Sequence, residues 1–130
     1  MKKLLLILSL FSMTAHAEWK IDGFADNYVS YIDYSRIKTE GKYKSMWYLN
    51  DFKSSMTTSS GKPYKSSVGK YIIDCRDSKQ QRVAVYLYSE QMGKGEVVLT
   101  ENNQIIESEW KYPPPNSIGD KYMNTACGRK

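Results

Sequence analysis

Apolar and aromatic residues alternate with polar ones through most of this sequence, and this period of two constrains the fold more than any other feature. The alternation is clear at Tyr71, Ile73 and Cys75, and again from Val83 to Leu87. Successive side chains of a β-strand point to opposite faces, so this pattern is typical of strands that bury one face. The sequence therefore predicts a protein made mainly of antiparallel β-sheet.

Six segments carry the alternation and are separated by polar or glycine-containing turns. We predict strands over residues 19–23, 28–33, 42–53, 69–76, 81–89 and 96–99. A polar stretch at residues 100–104 separates the last of these strands from Ile105 and Ile106, and Trp110 and Tyr112 are expected to close the sheet.

The strand at residues 42–53 is apolar on both faces, which favours a central position in the sheet. Trp47 and Leu49 share one face, and Met46 and Tyr48 share the other. We expect the face with Trp47 and Leu49 to meet the core, and we expect all three tryptophans of the chain to fill that core.

The C-terminal segment changes from strand to helix. Three prolines at residues 113–115 cannot continue a central strand, because proline donates no ladder hydrogen bond. Ser117 is a suitable N-cap and Gly128 a suitable stop. Between them, four apolar residues share one helical face: Ile118, Tyr122, Met123 and Ala126. The predicted fold class is α+β and mainly β, a curved antiparallel sheet of about six strands with a short C-terminal helix.

The N-terminus has the three parts of a secretory signal peptide. Two lysines follow Met1, an apolar run extends over residues 4–13, and a small-x-small exit ends at Ala17. A membrane anchor would need roughly 20 apolar residues. We predict cleavage after Ala17, which divides the chain into a signal peptide at residues 1–17 and a single domain at residues 18–130.

Removal of the signal peptide limits the partners and the location that we expect for the mature protein. The mature chain has 113 residues, and its formal net charge falls from +5 to +3 without any run of five like charges. Nucleic acid is therefore not an expected partner. The residue directly after the cleavage site is Glu18 and not a cysteine, and no later segment is long and apolar enough to span a membrane. We expect an exported protein, periplasmic or secreted, with neither a lipid anchor nor a transmembrane anchor.

The chain contains two cysteines, Cys75 and Cys127. In an oxidising compartment an isolated pair is typical of a disulfide. Closing a loop of about 50 residues stabilises a fold by roughly 4 kcal/mol in the chain-entropy model. The alternative is a pair of reactive or metal-binding thiols, and their wide separation argues against it. We predict one disulfide, which ties the helix to the strand of Cys75.

Cleavage also removes His16, the single histidine, and this excludes most enzyme classes. A Ser–His or Cys–His nucleophile pair is impossible without histidine, and zinc sites need His or Cys ligands. No glycine-rich loop of the dinucleotide or nucleotide type occurs. We expect a non-enzymatic protein without a metal or other cofactor.

Carboxylate pairs are the one catalytic chemistry left open. Glu107 and Glu109 are close in sequence, and Asp74 and Asp77 flank Cys75. Two carboxylates suffice for acid–base hydrolysis of a glycoside. Nothing in the sequence singles out either pair, and most such residues are solvated.

Residues 54–67 are rich in serine, threonine, glycine, lysine and proline, which is typical of a flexible surface loop. Long loops of this kind can carry function, and this one contains Lys62, Tyr64 and Lys65. Tyr31 and Tyr43 are further candidates for exposed contact, because tyrosine offers a large amphipathic surface to a partner. These five residues are the predicted partner-binding residues.

An ordered set of segments resembles the surface-adhesin protein E family. The set comprises WYLNDF at residues 47–52, YIIDC at 71–75, Tyr88, GKG at 93–95, WKYPPPNS at 110–117 and Cys127. The resemblance covers the chain from about residue 19 to residue 128. It implies a small antiparallel sheet, a C-terminal helix, a Cys75–Cys127 disulfide, and Trp47 and Trp110 in the core.

The resemblance also implies a function. The family's namesake is a lipid-anchored surface protein that binds host extracellular-matrix and serum proteins such as vitronectin and laminin. None of the matched residues is a binding residue that can be carried over, and this sequence lacks the lipidated cysteine. We therefore expect a non-enzymatic, adhesin-like, exported domain that binds a protein partner, such as a host matrix protein. The alternative is a periplasmic inhibitor or accessory protein that acts on a cell-envelope enzyme.

Overall fold

A single antiparallel sheet organises the chain in the computed structural model, which describes residues 16–129. Its strands are β1 (Trp19–Phe24), β2 (Tyr28–Asp33), β3 (Lys38–Glu40), β4 (Tyr43–Thr57), β5 (Pro63–Asp74), β6 (Lys79–Tyr88) and β7 (Val97–Asn102). The order is β1-β2-β4-β5-β6-β7, with β3 also paired to β4, so the sheet is open and has β1 and β7 at its edges. The predicted fold class is confirmed. The predicted signal peptide falls mainly on residues 1–15, which lie outside the described residues.

One α-helix, α1 (Ile118–Ala126), packs on one face of the sheet, which we call the helical face. Ser117 caps the helix by accepting the backbone N–H of Asp120 at 3.1 Å. Gly128 follows the helix with a φ of 68°, a conformation that glycine adopts without strain. The predicted N-cap and stop are therefore confirmed, as is the short C-terminal helix.

The core lies between α1 and the middle of the sheet. Its buried members are Ile32, Met46, Tyr48, Ile73, Tyr122, Met123 and Ala126. Tyr48 stands opposite Gly69 in the neighbouring strand, and a Cβ at position 69 would overlap the Tyr48 ring. Because Gly69 has no side chain, the Tyr48 ring has room to lie between the sheet and the helix.

The prediction that Trp47 and Leu49 face this core is wrong, because Met46 and Tyr48 do. Leu49 is fully buried, but it lies on the opposite face of the sheet, where the connection between β6 and β7 brings Gly93 against it.

The prediction that the three tryptophans fill the core is also wrong, since Trp19, Trp47 and Trp110 are each only half-buried. The Trp47 ring packs beside Tyr86 with 6.2 Å between the ring centroids. Trp110 packs beside Tyr43 at 5.3 Å. An indole has an apolar body and a polar N–H, which suits such boundary positions.

Residues 54–67 form the two arms of a β-hairpin and not a flexible loop. β4 continues to Thr57 and β5 begins at Pro63, so that Met56 pairs with Tyr64. Only residues 58–62 form the turn, in which the Thr58 N–H donates to the Lys62 carbonyl at 2.8 Å. The hydrogen bonds between paired strands are made by backbone groups, so serine and threonine can occupy the exposed positions of such a hairpin.

The end of the sheet also differs from the prediction. β7 runs on through Asn102, and Ile105 and Ile106 are 44% and 46% exposed beyond it. Trp110 and Tyr112 do not close the sheet, since Lys111 between them makes only an isolated bridge to Gln80. Because residues 100–104 are polar, the sequence pattern did not indicate that β7 extends to Asn102. The pairing of β7 with β6 uses backbone groups and does not need apolar side chains.

The disulfide between Cys75 and Cys127 is confirmed, with 5.7 Å between the two Cα atoms. Cys127 is the C-cap residue of α1, and Cys75 immediately follows β5. The bond therefore holds the end of the helix against the central part of the sheet, and no free cysteine remains in the chain.

The predicted cleavage after Ala17 has a consequence that can be measured. The backbone N–H of Glu18 donates to Asp33 Oδ2 at 3.3 Å, and the Asp33 side chain is fully buried beside Arg36. Cleavage would turn this N–H into a charged ammonium group, and charge-assisted hydrogen bonds are about twice as strong as neutral ones. A chain that starts at Glu18 should be more stable than one with two extra alanines before Glu18, by about 1 kcal/mol.

Urea unfolding of the two chains at neutral pH measures this difference. Acetylation of Glu18 removes the charge without adding residues and should lower the stability by a similar amount. Equal stability of all three chains would show that the terminal charge does not interact with Asp33.

Candidate functional site

Helix α1 leaves part of the helical face open over β6 and β7, and two cavities lie there. The larger has a volume of about 490 Å³ and the smaller a volume of about 380 Å³. Both fall in the usual range of ligand sites, roughly 300–1,000 Å³. Arg82 and Glu101 line both cavities, so the two adjoin there. We call the two cavities together the sheet groove.

The smaller cavity has an apolar floor and a wall made by the β4–β5 hairpin. The floor consists of Val85, Leu87 and Leu99. Residues 57–59 and Tyr64, near the tip of the hairpin, line the same cavity. The pairing of β4 with β5 shifts register near residues 52–55, and such irregularities bend a strand. The bend explains how the tip reaches a cavity above β6 and β7.

The larger cavity lies where the sheet edge is interrupted. Asn103 N donates to the Val83 carbonyl of β6 at 2.8 Å, and Lys111 exchanges two backbone hydrogen bonds with Gln80 at 2.8 and 2.9 Å. Between these points the chain leaves the edge of β6. Gln81 holds this excursion by bonding both backbone groups of Ile106, at 3.0 and 3.2 Å.

Polar side chains dominate the lining of the larger cavity. They come from β6, from the end of β7 and from the segment that follows it: Gln80, Gln81, Arg82, Glu101, Asn103, Gln104, Glu109 and Lys111. The cavity can therefore offer many hydrogen-bond donors and acceptors to a ligand.

Arg82 carries a permanent charge at the centre of the sheet groove. Burial alone lowers the pKa of Arg82, but the neighbouring Tyr48, Tyr71 and Glu101 raise this pKa overall. The guanidinium group therefore stays ionised. Tyr71 packs against Tyr122 of the helix with 5.7 Å between the ring centroids, which places the helix beside this part of the groove.

Of the three predicted binding residues on the hairpin, Tyr64 alone lines the sheet groove. Its ring packs edge-on against Phe52 at 5.6 Å. Lys62 and Lys65 are exposed on the same hairpin but line neither cavity.

The other two predicted binding residues lie elsewhere. Tyr31 pairs with Leu49 and, by the alternation of strand side chains, faces away from the helix. Tyr43 lies at the start of β4 and packs beside Trp110. The structure therefore does not gather the five predicted residues into one surface.

The acidic residues considered for catalysis have local structural contacts. Asp74 is 8% exposed and accepts the backbone N–H groups of Arg76 and Asp77, each at 3.1 Å. Glu107 and Glu109 lie in an exposed 3-10 turn, where Glu107 accepts the Trp110 indole N–H at 3.4 Å. Within residues 16–129 no group of three acidic, histidine or cysteine side chains could hold a metal ion. Among the helices of that range, none has the length and apolar character needed to cross a membrane.

The open sheet, helix α1 on one face and the disulfide between them define a class of small β-rich domain. The family described as surface-adhesin protein E matches residues 19–128. The chain belongs to this family, and the resemblance inferred from the sequence is confirmed. Membership supports an exported, adhesin-like surface protein.

Solved structures of protein E from Haemophilus influenzae share the fold. Crystal form II is 13% identical, with a TM-score of 0.59, and the match covers 82% of this chain and 91% of that chain. Protein E from a non-typeable strain is 16% identical, with a TM-score of 0.55, and the match covers 88% of this chain and 76% of that chain. At such identities the likeness concerns the fold alone. No curated protein matches the chain.

The core tyrosine beside the groove predicts a loss of stability in alkali. Burial raises the pKa of Tyr48 to about 12, whereas an unfolded tyrosine titrates near pH 10. Above about pH 10 the unfolded chain releases this proton while the folded chain retains it, so Tyr48 alone lowers the stability by about 1.4 kcal/mol per pH unit up to about pH 12.

Urea midpoints across this range should be constant below about pH 9.5 and should then decrease. Burial also raises the pKa of Tyr71 and Tyr122, so Tyr48→Phe should reduce the slope without abolishing it. The same slope in the variant and the parent chain would show that Tyr48 ionises as freely in the fold as outside it.

Proposed function

We propose that residues 18–130 form a non-enzymatic, exported binding domain that recognises a protein partner through the sheet groove. The family supports an adhesin-like role, and extracellular-matrix or serum proteins of a host are the candidate partners. The observation that carries the choice of surface is the pair of adjoining cavities that share Arg82 and Glu101.

The groove has the anatomy of a recognition surface. Its apolar floor at Val85, Leu87 and Leu99 is surrounded by polar residues, and interfaces commonly combine an apolar centre with a polar rim. The hairpin beside it exposes Lys62 and Lys65, which a partner could contact at the rim. The groove therefore supplies apolar burial, hydrogen bonding and charge on one face.

Binding to immobilised laminin or vitronectin tests this proposal. We expect saturable binding that survives physiological salt, because buried contacts are screened less than exposed charges. Tyr64→Ala removes an aromatic ring from the groove and should weaken binding about tenfold, which corresponds to about 1.4 kcal/mol.

Tyr112→Ala is the matched control, since Tyr112 is 69% exposed and lines neither cavity. Tyr31→Ala tests the opposite face of the sheet. If Tyr31→Ala weakens binding and Tyr64→Ala does not, the partner binds the other face. If the parent chain binds neither laminin nor vitronectin saturably, the adhesin-like role is wrong for these partners.

A second candidate function is inhibition of a cell-envelope enzyme in the periplasm. The hairpin turn favours it, because residues 59–63 are exposed and Thr58 fixes the turn through bonds to Lys62 N, Lys62 O and Ser60 Oγ at 2.8 to 3.1 Å. A fixed, exposed turn can enter an enzyme cleft at low entropic cost.

Protease treatment of intact cells separates the two functions. An adhesin-like protein should be degraded from outside, whereas a periplasmic inhibitor should be protected and should co-purify with a cell-wall hydrolase. Protection without any bound hydrolase would count against both functions.

A further inference from the structure

The charges of the larger cavity balance, which indicates the class of ligand that it accepts. Arg82 and Lys111 are positive, and Glu101 and Glu109 are negative. A ligand with a large net charge would leave two of these groups unfavourably placed. Asn103 and Gln104 add amide groups that both donate and accept hydrogen bonds. The lining therefore suits an uncharged ligand with many polar groups.

The smaller cavity also has a mainly polar lining, but it adds an apolar floor. Val85, Leu87 and Leu99 form its floor, and Phe52 and Tyr64 contribute two aromatic rings. Aromatic rings pack against apolar C–H surfaces and, in tyrosine, also offer a hydroxyl group. The ligand must therefore combine dense polar groups with small apolar patches.

We propose that the sheet groove binds a neutral oligosaccharide that carries acetamido groups. Its hydroxyl groups match the amide, carboxylate and guanidinium groups of the larger cavity, and its C–H faces and acetamido methyl groups match the floor and rings of the smaller one. This inference rests on the proposed function, because the oligosaccharide would be the part of a glycoprotein partner that enters the groove.

A peptide segment is the less favoured occupant. Peptide and protein partners usually bury an aromatic or aliphatic anchor in a desolvated pocket, whereas the lining of the larger cavity is mainly polar. The two cavities together also extend from the β4–β5 hairpin to the segment around Lys111. That arrangement suits a chain of several sugar rings.

The probe for this inference is the tetramer of N-acetylglucosamine, compared with the glucose tetramer that lacks acetamido groups. We expect saturable changes in the NMR signals of the Asn103 and Gln104 amides with the acetylated tetramer, and binding at least about tenfold weaker with the glucose tetramer. Equal affinity for both tetramers would overturn the acetamido requirement, and no saturable change at millimolar concentrations would overturn the site.

The double variant Asn103→Ala, Gln104→Ala should weaken binding of the acetylated tetramer about tenfold. Both residues are exposed, so the fold should tolerate their replacement. Asn27→Ala is the matched control, because Asn27 is an exposed asparagine in the β1–β2 turn and lines neither cavity. An equal loss of affinity for the acetylated tetramer in the double variant and in the control would contradict the assignment of Asn103 and Gln104 to the binding site.

Acetamido sugars occur in the glycans of host glycoproteins and in the glycan strands of the bacterial envelope, and two further measurements separate these sources. Enzymatic removal of glycans from laminin or vitronectin should abolish binding if the host glycan is the ligand. Undiminished binding after glycan removal would overturn this inference while leaving the proposed protein recognition intact. Binding of purified envelope glycan strands, with no binding of either host protein, would support the sugar site and reject the proposed adhesin-like function.

Discussion

The fit of the Tyr48 ring over Gly69 is the contact on which the arrangement of the molecule depends. Because position 69 has no side chain, Tyr48 can lie flat on the sheet and stack against Tyr122 with 5.4 Å between the ring centroids. Tyr122 also donates to Asn50 Oδ1 at 3.3 Å. These contacts hold α1 over β2, β4 and β5, and the disulfide fixes the end of the same helix. The rest of the helical face remains open as the groove.

The sequence predicts the sheet well because its signal is local. Alternation identified the main strands, and Ser117 and Gly128 marked the limits of the helix. The orientation of β4 could not be predicted in the same way, since both of its faces are apolar. What decides that orientation is a glycine on the neighbouring strand, and the pairing of Tyr48 with Gly69 is a long-range property. The hairpin arms were missed because their pairing uses backbone groups that nearly every residue type carries.

The groove could be predicted only in part. Tyr64 was singled out as an aromatic residue in a polar segment, and it does line the smaller cavity. Arg82 and Glu101 were not, because they lie on different strands and meet only through the register of β6 with β7. Alternation along β6 would place Arg82 on the face of Ala84 and Tyr86, away from the groove. Only the register shift between Arg82 and Ala84 turns this side chain to the groove.

The segment that follows β7 is attached to the sheet mainly through its own backbone. Gln81 bonds the main-chain groups of Ile106, and Lys111 bridges Gln80 through main-chain groups as well. The exposed side chains of Asn103 and Gln104 in this segment are therefore under little structural constraint. Natural variation could replace them one after another without disturbing the sheet. Such replacements would change the chemistry of the groove lining while the sheet and its helix stay the same.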